Sequence, residues 1–330
     1  MPPEHRLLVL SAADVRELLD VDLAIESQHL AFEELGRGRA VLPARLLIDG
    51  AEDSVSFCYA ARLAPDGAAV CKFGSVNPAN AGLGLPTISA LITVLDAEQG
   101  RPIAIMDGTT VTTIRTSAAS AVAVQALANP GSTSLAILGT GVQAEAHVRA
   151  ISRVMALTSV RVWGRSSPAC VALADSLGAE YPFDVTRSLS AEDAVRDADV
   201  VVCATTSFDP VVETGWLREG TLVISIGSFA PNRFEVPADL LTRADAVVVD
   251  DIDTAIEHAG PIAAAVSSGR LGKDRLISLG AVVAGLEQAR HSSADIIYYN
   301  SVGIGVQDAA AAVVIVDAAR AQGRGQSVSL

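Results

Sequence analysis

The feature that most limits how this chain can fold is an apolar run at residues 134–139 (SLAILG), which leads directly into the glycine-rich turn GTGVQA. A continuous apolar run of this length is typical of a strand buried on both faces of a parallel sheet. The residues after the turn have a helical pattern. A strand, a GxGxxA turn and a helix in this order predict a dinucleotide-binding fold, and a glycine-rich turn without a ligand is the alternative.

The residue types in this turn suit a bound phosphate. Gly139 permits the tight turn, Gly141 lets the backbone approach a pyrophosphate, and Ala144 lets the helix lie close to the sheet. The pyrophosphate would lie at the helix N-terminus, where free N–H groups and the helix dipole favour an anion. The turn therefore predicts cofactor contacts for six consecutive residues: Gly139, Thr140, Gly141, Val142, Gln143 and Ala144.

Apolar strands and helical segments continue to alternate after this turn. The strand-like runs SVRVWG, DVVVCAT, TLVISIG and AVVVDD are separated by segments with helical periodicity, among them residues 168–177 and 191–197. Such alternation is typical of an α/β domain with a doubly wound parallel sheet, the Rossmann architecture. The middle of the chain is therefore predicted to form a Rossmann domain.

The first third of the chain has a different pattern. A short strand at residues 7–10 and two helices precede four strand-like runs between residues 41 and 95, which are separated by short breaks. Runs joined this closely predict an antiparallel or mixed sheet. A small-residue helix follows at residues 112–128, and a glycine-rich turn at Ser301 opens a long helix of Ala and Val. These segments indicate a second, smaller α+β domain.

The charge balance restricts the classes of partner. The chain has 24 Lys and Arg against 38 Asp and Glu, a net charge of −14. This field repels phosphate backbones and anionic lipid, so neither nucleic acid nor a membrane is expected as a partner. The four cysteines lack CxxC spacing and the five histidines are scattered, so we expect reduced thiols and no metal site. With no signal-peptide pattern and no bilayer-length apolar run, the chain is expected to be cytoplasmic.

The end of the second predicted Rossmann strand bears on the choice of nucleotide. A carboxylate at this place would bind the ribose 2′-hydroxyl of NAD. The segment here is Trp163-Gly164-Arg165-Ser166-Ser167, without a carboxylate. A guanidinium matches the geometry of a 2′-phosphate, so Arg165 and Ser166 favour NADP(H) over NAD(H). A solvated loop arginine, with NAD(H) as the cofactor, is the alternative.

Five segments together resemble the ornithine cyclodeaminase/mu-crystallin family, in the family's order and over nearly the whole chain. They are PARLL at residues 43–47, the stretch from Lys72 to NPAN at 77–80, MDGTTVTTIRTSAAS at 106–120, GTGVQAEAH at 139–147 and SVGIGVQD at 301–308. The family covers NAD(P)-dependent cyclodeaminases, ketimine and pyrroline-2-carboxylate reductases, alanine dehydrogenases and opine-type enzymes. All of them move a hydride to or from the α-carbon of an amino or imino acid.

The resemblance also implies a domain organisation and an assembly. Residues 1–117 with 305–330 would form the substrate-binding and dimerisation domain, because the C-terminal helix of the family returns to the first domain. Residues 118–304 would form the NAD(P)-binding Rossmann domain. The expected assembly is a homodimer formed through the N-terminal sheet.

The resemblance further implies roles for individual residues. Three cations, Arg45, Lys72 and Arg115, fall on the family's positions for the substrate carboxylate, and an acidic protein needs such local cations to bind an anion. From the sequence alone, surface cations are the alternative. The implied cofactor contacts are Thr112, Arg115 and Thr116 near the phosphates, Thr205, Thr206, Ser207 and Ser228 along the nucleotide, and Ser301 and Gly303 near the nicotinamide.

Two departures from the family pattern argue against ornithine as the substrate. Cyclodeaminases of the family carry an Asp in a VG(G/A)D segment, and Phe229 occupies that position here. Ornithine-using members also carry a Glu in the second strand, whereas residues 54–59 (SVSFCY) contain no carboxylate. A buried δ-ammonium would then have no counter-charge, which is costly. Phe229 instead suits a flat, apolar substrate.

The function expected from these observations is reduction of a cyclic imino acid such as pyrroline-2-carboxylate or piperideine-2-carboxylate. Lys72 is the expected proton donor, because burial near Arg45 and Arg115 would lower its pKa; a role in binding the carboxylate alone is the alternative. Asp308 and Glu235 are alternatives for that role, although Glu235 is predicted to begin a helix; His147 is expected to be structural. The competing hypotheses are an amino-acid dehydrogenase or cyclodeaminase with a relocated acid/base, and a non-catalytic NADP(H)-binding protein.

Overall fold

The structure, a computed structural model, describes residues 6–51 and 53–329, with only the backbone of residue 81. The chain divides into two compact units. The first contains the described residues up to Arg115 together with those from Ile304 onward, and the second runs from Thr116 to Gly303. No helix among the described residues has the length and apolarity needed to cross a membrane.

The first unit is built around a mixed sheet with helices. Its strands are β1 (Arg6–Leu10), β2 (Leu46–Asp49), β3 (Val55–Ala61), β4 (Ala69–Val76), β5 (Ile88–Leu95), β6 (Pro102–Asp107) and β15 (Gln326–Ser329). Its helices are α1 (Ala12–Leu18), α2 (Val21–Gly36), the first part of α3 (Gly108–Leu127) and α11 (Gly305–Gln322), with a 3₁₀ helix at Pro78–Leu83.

The strand order in this sheet is β15-β1-β6-β5-β4-β3-β2. Strands β1 and β6 are parallel and all other neighbours are antiparallel, which confirms the predicted mixed sheet. Helix α11 packs against α2 and against β3 and β4. The register places Tyr59 opposite Lys72, so these two side chains point to the same face of the sheet.

The second unit contains the strands β7 (Ser134–Leu138), β8 (Ser159–Trp163), β9 (Asp184–Arg187), β10 (Val200–Cys203), β11 (Leu222–Ser225), β12 (Ala246–Val249), β13 (Leu276–Ser278) and β14 (Ile297–Asn300). Its helices are the rest of α3, then α4 (Val142–Ile151), α5 (Ser167–Glu180), α6 (Ala191–Val195), α7 (Leu240–Arg243), α8 (Ile252–His258), α9 (Gly260–Ser267) and α10 (Leu279–Val283). Short 3₁₀ helices lie at Thr214–Trp216 and Lys273–Arg275.

The strand order β13-β12-β14-β11-β10-β7-β8-β9 is parallel throughout and confirms the predicted doubly wound sheet. The chain order reverses between β7 and β10, which makes this position the topological switch point of the sheet. Every residue of β10, β11, β12 and β14 is buried, because helices cover both faces. In such sheets, ligands bind outside the carboxyl ends of the strands at the switch point.

Several boundaries differ from the predicted ones for local reasons. Helix α3 begins at Gly108 rather than at residue 112, because the carboxylate of Asp107 accepts the N–H of Thr110 at 2.7 Å and caps the first turn. Helix α6 ends at Val195 rather than at residue 197. The sequence pattern did not predict strands β6, β13, β14 and β15. Strand β15 follows Gly323, whose left-handed conformation ends α11.

Candidate active site

A buried lysine and a buried aspartate form the centre of a charged cluster in the first unit. Lys72 lies in β4 and Asp308 in the first turn of α11, and their side chains are 2% and 1% exposed. The Lys72 Nζ atom is 2.7 Å from Oδ2 of Asp308. The same ammonium donates to Oγ1 of Thr112 at 3.3 Å, and that hydroxyl donates to the carbonyl of Gly108.

Arg115, in α3, completes the charged cluster. Its Nε donates to Oδ1 of Asp308 at 3.1 Å, and its Nη1 donates to Oε1 of Gln307 at 3.0 Å. The Arg115 side chain is only 5% exposed. Two of its donor groups are therefore held by α11.

Two aromatic rings and a third cation line the same face of the sheet. The rings of Phe57 and Tyr59 lie 4.8 Å apart, and the ammonium of Lys72 is 5.1 Å from the Tyr59 centroid and 5.8 Å from that of Phe57. Arg45 donates to the Tyr59 hydroxyl at 3.3 Å, and its guanidinium lies 5.0 Å from the ring. The face thus combines aromatic surface with positive charge.

Burial lowers the pKa of Lys72 to about 8. Asp308 opposes this shift, whereas the charges of Arg115 and Arg45 add to it. Lys72 and Arg115 thus share one buried carboxylate, and the charge of Arg45 also acts on Lys72, so positive charge is in excess around these buried groups. A bound carboxylate would balance that charge, and a lysine with this pKa can exchange a proton near neutral pH.

The glycine-rich turn in the second unit has the geometry of a phosphate-binding turn. Gly139 has a φ of 129°, and a Cβ there would collide with the carbonyl of Ala204. A Cβ at Gly141, the N-cap of α4, would meet no protein atom within 4 Å, so this side of the turn is open. Ala144 is fully buried against the sheet. The residues present therefore fit a dinucleotide, whose phosphates Gly141 and the N-terminus of α4 would hold.

The turn after β8 places basic and hydroxyl groups at the start of α5. Ser166 caps α5 by accepting the N–H of Ala169, and Arg165 beside it is exposed. Arg187, at the end of β9, donates to the hydroxyl of Ser167 at 2.6 Å. Sequence reasoning named Arg165 and Ser166 but missed this second arginine, which comes from the neighbouring strand.

Glu235 does not begin a helix, contrary to the prediction. It lies in a loop before α7, is fully buried, and its carboxylate accepts four hydrogen bonds. The donors are N and Oγ1 of Thr205, Oγ of Ser225 and N of Gly227, at 2.6–2.8 Å. The chain adopts a loop here rather than a helix because these donors, at the carboxyl ends of β10 and β11, need a buried acceptor. Burial raises the pKa of Glu235 to about 7 despite the four donors.

The other residues predicted to contact the nucleotide lie around Glu235. Ser228 is buried and accepts the N–H of Glu235 at 3.0 Å, and Ser207 donates its N–H to the Thr205 hydroxyl. The carbonyl of Thr206 accepts from Arg233 at 3.2 Å. The Arg233 guanidinium also lies 5.0 Å from the ring of Phe229, so a cation stands beside the residue at the family's Asp position.

The turn at Ser301 is held by another buried carboxylate, which sequence reasoning missed. Oδ2 of Asp250 accepts from the Ser301 hydroxyl at 3.2 Å and from the N–H groups of Val302 and Gly303 at 2.9 and 2.7 Å. Gly303 has a φ of 77°, which explains the glycine. The only sequence signal for Asp250 was its place directly after an apolar strand.

His147 lies inside the second unit. Its Nδ1 is 2.7 Å from the carbonyl of Gln143, and its Nε2 is 2.9 Å from the hydroxyl of Ser120 in α3. Burial lowers the pKa of His147 to about 4, so the ring is neutral. These contacts join the first turns of α4 to α3.

Within the first unit, the structure brings together Lys72, Arg115 and Thr112 and adds Asp308 and Gln307 as their partners. Arg45 contacts Tyr59, whose ring also lies beside the Lys72 ammonium. Thr116 follows Arg115 in α3 as the first residue of the second unit. The motif SVGIGVQD contained both Gln307 and Asp308, but the pattern could not indicate which strand or helix they contact.

Comparison with known proteins gives consistent results. A model of the ornithine cyclodeaminase/mu-crystallin family matches residues 5–323. A Delta(1)-pyrroline-2-carboxylate reductase of Bacillus cereus (strain ZK / E33L) is 29% identical over 324 residues, which covers 98% of this chain and 99% of that protein. The structure of Thermococcus litoralis Delta(1)-pyrroline-2-carboxylate reductase with NADH and L-proline has a TM-score of 0.93 at 30% identity, covering 97% of this chain and 100% of that one. An archaeal alanine dehydrogenase dimer with bound NAD has a TM-score of 0.94 at 31% identity, covering 99% and 100%.

Proposed function

The chain belongs to the ornithine cyclodeaminase/mu-crystallin family, and from this premise we propose that it is an NAD(P)H-dependent reductase of an imino acid. The observation that carries the proposal is the buried cluster in which Lys72 and Arg115 share the carboxylate of Asp308. The positive charge of this cluster suits an α-carboxylate, and the pKa of Lys72 suits proton delivery near neutral pH. The similar reductases of Bacillus cereus and Thermococcus litoralis support the assignment.

The substrate carboxylate is the proposed ligand of the basic groups. Arg115 is oriented by Asp308 and Gln307 through Nε and Nη1, and its Nη2 is the group proposed to donate to a carboxylate oxygen. Arg45 is directed by its contact with the Tyr59 hydroxyl. The rings of Phe57 and Tyr59 offer apolar surface for a flat cyclic imine.

Lys72 is the proposed proton donor. Its ammonium is mostly protonated at neutral pH, because its pKa is about 8. The imine nitrogen accepts this proton as the C=N bond is reduced, and Lys72 then regains a proton from solvent. Asp308 holds the ammonium in place at 2.7 Å and stabilises its charged form. When bound, the reduced nicotinamide supplies the hydride that goes to the imine carbon.

The substrate class is inferred from two positions at which this sequence departs from the cyclodeaminases of the family. Phe229 stands where cyclodeaminases of the family have an Asp, and β3 has no carboxylate to pair with a δ-ammonium. We therefore infer that a cyclic imine such as pyrroline-2-carboxylate or piperideine-2-carboxylate is preferred to ornithine. Oxidative deamination of alanine is the second candidate, because the archaeal alanine dehydrogenase is equally similar in fold.

The finer assignments of cofactor and assembly are also proposals. NADP(H) is favoured by Arg165 and Arg187 near the start of α5, although the similar solved structures hold NADH and NAD. One face of the first sheet carries a row of exposed apolar side chains, which includes Leu46, Phe73 and Leu91 at 57%, 56% and 53% exposure. Because a second copy of the chain could cover this apolar surface, we propose a homodimer.

The test is oxidation of NADPH and NADH with pyrroline-2-carboxylate and piperideine-2-carboxylate, alongside ammonia release from ornithine or alanine with NAD⁺ and NADP⁺. The expected result is rapid oxidation with the cyclic imines and no ammonia from ornithine. Ammonia from alanine would establish the second candidate. Ammonia from ornithine would contradict the interpretation of Phe229, and no reaction with any of these substrates would contradict the proposed function.

A further inference from the structure

Gln307 lies beside Arg115 and has one end of its amide unaccounted for. The side chain is fully buried in the first turn of α11. We propose that Gln307 is a substrate-binding residue, whose Nε2 donates a hydrogen bond to the carboxylate of the imino acid. This proposal rests on the proposed function and names a further group that recognises the same substrate.

The orientation of the Gln307 amide is determined by two donors. Its Oε1 accepts the N–H of Ile304 at 2.9 Å and Nη1 of Arg115 at 3.0 Å. Rotating the amide by half a turn would place its NH₂ group against both of these donors, which is unfavourable. The oxygen therefore faces Ile304 and Arg115, and the nitrogen points away from them.

The Nε2 atom of Gln307 makes no hydrogen bond within the described part of the chain. A buried NH₂ group without an acceptor is rare and costly, because it loses its bonds to water and gains none. Such a group in a native structure indicates a ligand or an ordered water. The other end of the same amide, Oε1, is bonded to Arg115, which is a proposed ligand of the substrate carboxylate. An oxygen of that carboxylate is therefore the acceptor that we assign to Nε2.

A neighbouring amide offers a second possibility. Gln28, in α2, donates from Nε2 to the backbone carbonyl of Gln307 at 3.1 Å, and its own Oε1 has no partner among the described residues. A water held between Oε1 of Gln28 and Nε2 of Gln307 would satisfy both amides without any substrate. The experiment must therefore separate a substrate contact from a structural water.

Gln307→Glu is the most informative variant. A carboxylate keeps an acceptor for Ile304 and Arg115, so the first turn of α11 is retained, but it replaces the donor with a second acceptor. The KM for pyrroline-2-carboxylate should rise about tenfold or more while kcat changes less, because the lost contact is present in both bound substrate and transition state. Gln307→Met, which removes both the donor and the acceptor without adding charge, should raise KM about threefold or more.

The ligand can be varied as well. In the presence of NADPH, wild-type protein should bind pyrrole-2-carboxylate more tightly than pyrrole-2-carboxamide. Gln307→Glu should reduce this preference about tenfold or reverse it, because an amide NH₂ can donate to the new carboxylate. Gln322→Glu, the same substitution at the exposed end of α11, is the matched control and should leave KM and the preference unchanged.

The outcomes distinguish the proposals. If the wild type turns over the imine and both Gln307 variants have a KM within twofold of the wild-type value, Gln307 does not bind the substrate. That result would overturn the proposal and assign its Nε2 to a structural water. Failure of the wild type both to reduce imines and to bind pyrrole-2-carboxylate would overturn the proposed function, and this inference with it. A melting temperature for each variant shows that the compared proteins are folded.

Discussion

The ammonium of Lys72 lies 2.7 Å from the carboxylate of Asp308, and both side chains are almost completely buried. Opposing effects act on this lysine: burial and two arginines lower its pKa, and Asp308 raises it. The resulting value of about 8 is close to the pH at which such a group transfers protons efficiently. The contact between Lys72 and Asp308 therefore helps to set the pKa of the proposed proton donor.

The pH dependence of imine reduction should reflect the pKa of Lys72. A proton donor must be protonated, so kcat/KM should be level below about pH 7 and fall about tenfold per pH unit well above the pKa of about 8. Lys72→Met should lower kcat/KM about 100-fold or more and remove this alkaline limb. Lys273→Met, which changes an exposed lysine, is the control. A wild-type limb that persists in Lys72→Met would contradict the assignment.

Asp308→Asn should move the alkaline limb to lower pH. Asp308 raises the pKa of Lys72, so removing its charge makes the ammonium easier to deprotonate. The variant should also be less stable by about 3–5 kcal/mol, because Lys72 and Arg115 lose their buried counter-charge. Kinetic pH profiles and urea titrations measure the two effects. Asp253→Asn, an exposed partner of Lys273, should change neither; an unshifted limb in Asp308→Asn would refute the coupling.

Alanine substitutions at the two turn glycines should have different consequences. Gly139→Ala adds a Cβ that collides with the Ala204 carbonyl at a φ of 129°, so both stability and nucleotide affinity should fall. Gly141→Ala meets open space, so the melting temperature should hold while NADH and NADPH affinity falls about tenfold or more. Fluorescence titration with thermal melts tests both. Full nucleotide affinity in Gly141→Ala would mean that phosphates do not approach this turn.

Arg165→Ala should weaken NADPH binding more than NADH binding. Only NADPH carries the 2′-phosphate, and an exposed guanidinium at that phosphate contributes about tenfold or more in affinity. The dissociation constants of both nucleotides for the same variant provide an internal control. Equal losses would remove the argument for a 2′-phosphate contact.

His147 should make stability depend on pH. Its pKa is lowered from 6.5 to about 4, so the unfolded chain takes up a proton between these values and the folded chain does not. The contribution of the neutral ring is complete above pH 6.5 and decreases by up to about 3 kcal/mol as the pH falls to 4. His147→Gln should flatten this part of the curve in urea titrations, whereas His29→Gln, at an exposed site, should not. Parallel curves for wild type and His147→Gln would contradict the prediction.

The sequence by itself determined the parts of this protein that depend on neighbouring residues in the chain. Residues 134–144 specify a buried strand, a tight glycine turn and a helix because each of these has a local physical requirement. Alternating strands and helices predicted the parallel sheet for the same reason. The resemblance to a family identified Lys72 and Arg115 as residues of interest, but only as separate positions.

Tertiary structure decided which groups meet. Arg115 and Asp308 are 193 residues apart, and no periodicity indicates that α11 returns an acid to the basic residues of β4 and α3. Glu235 was wrongly predicted to begin a helix. The groups that donate to its carboxylate lie at the ends of two strands distant in the sequence, so the local pattern gave no sign of them. A pKa of about 8 for Lys72 likewise depends on burial and on charges supplied by distant segments. Local sequence thus predicts backbone conformation, whereas side-chain electrostatics arises from contacts that only the folded chain creates.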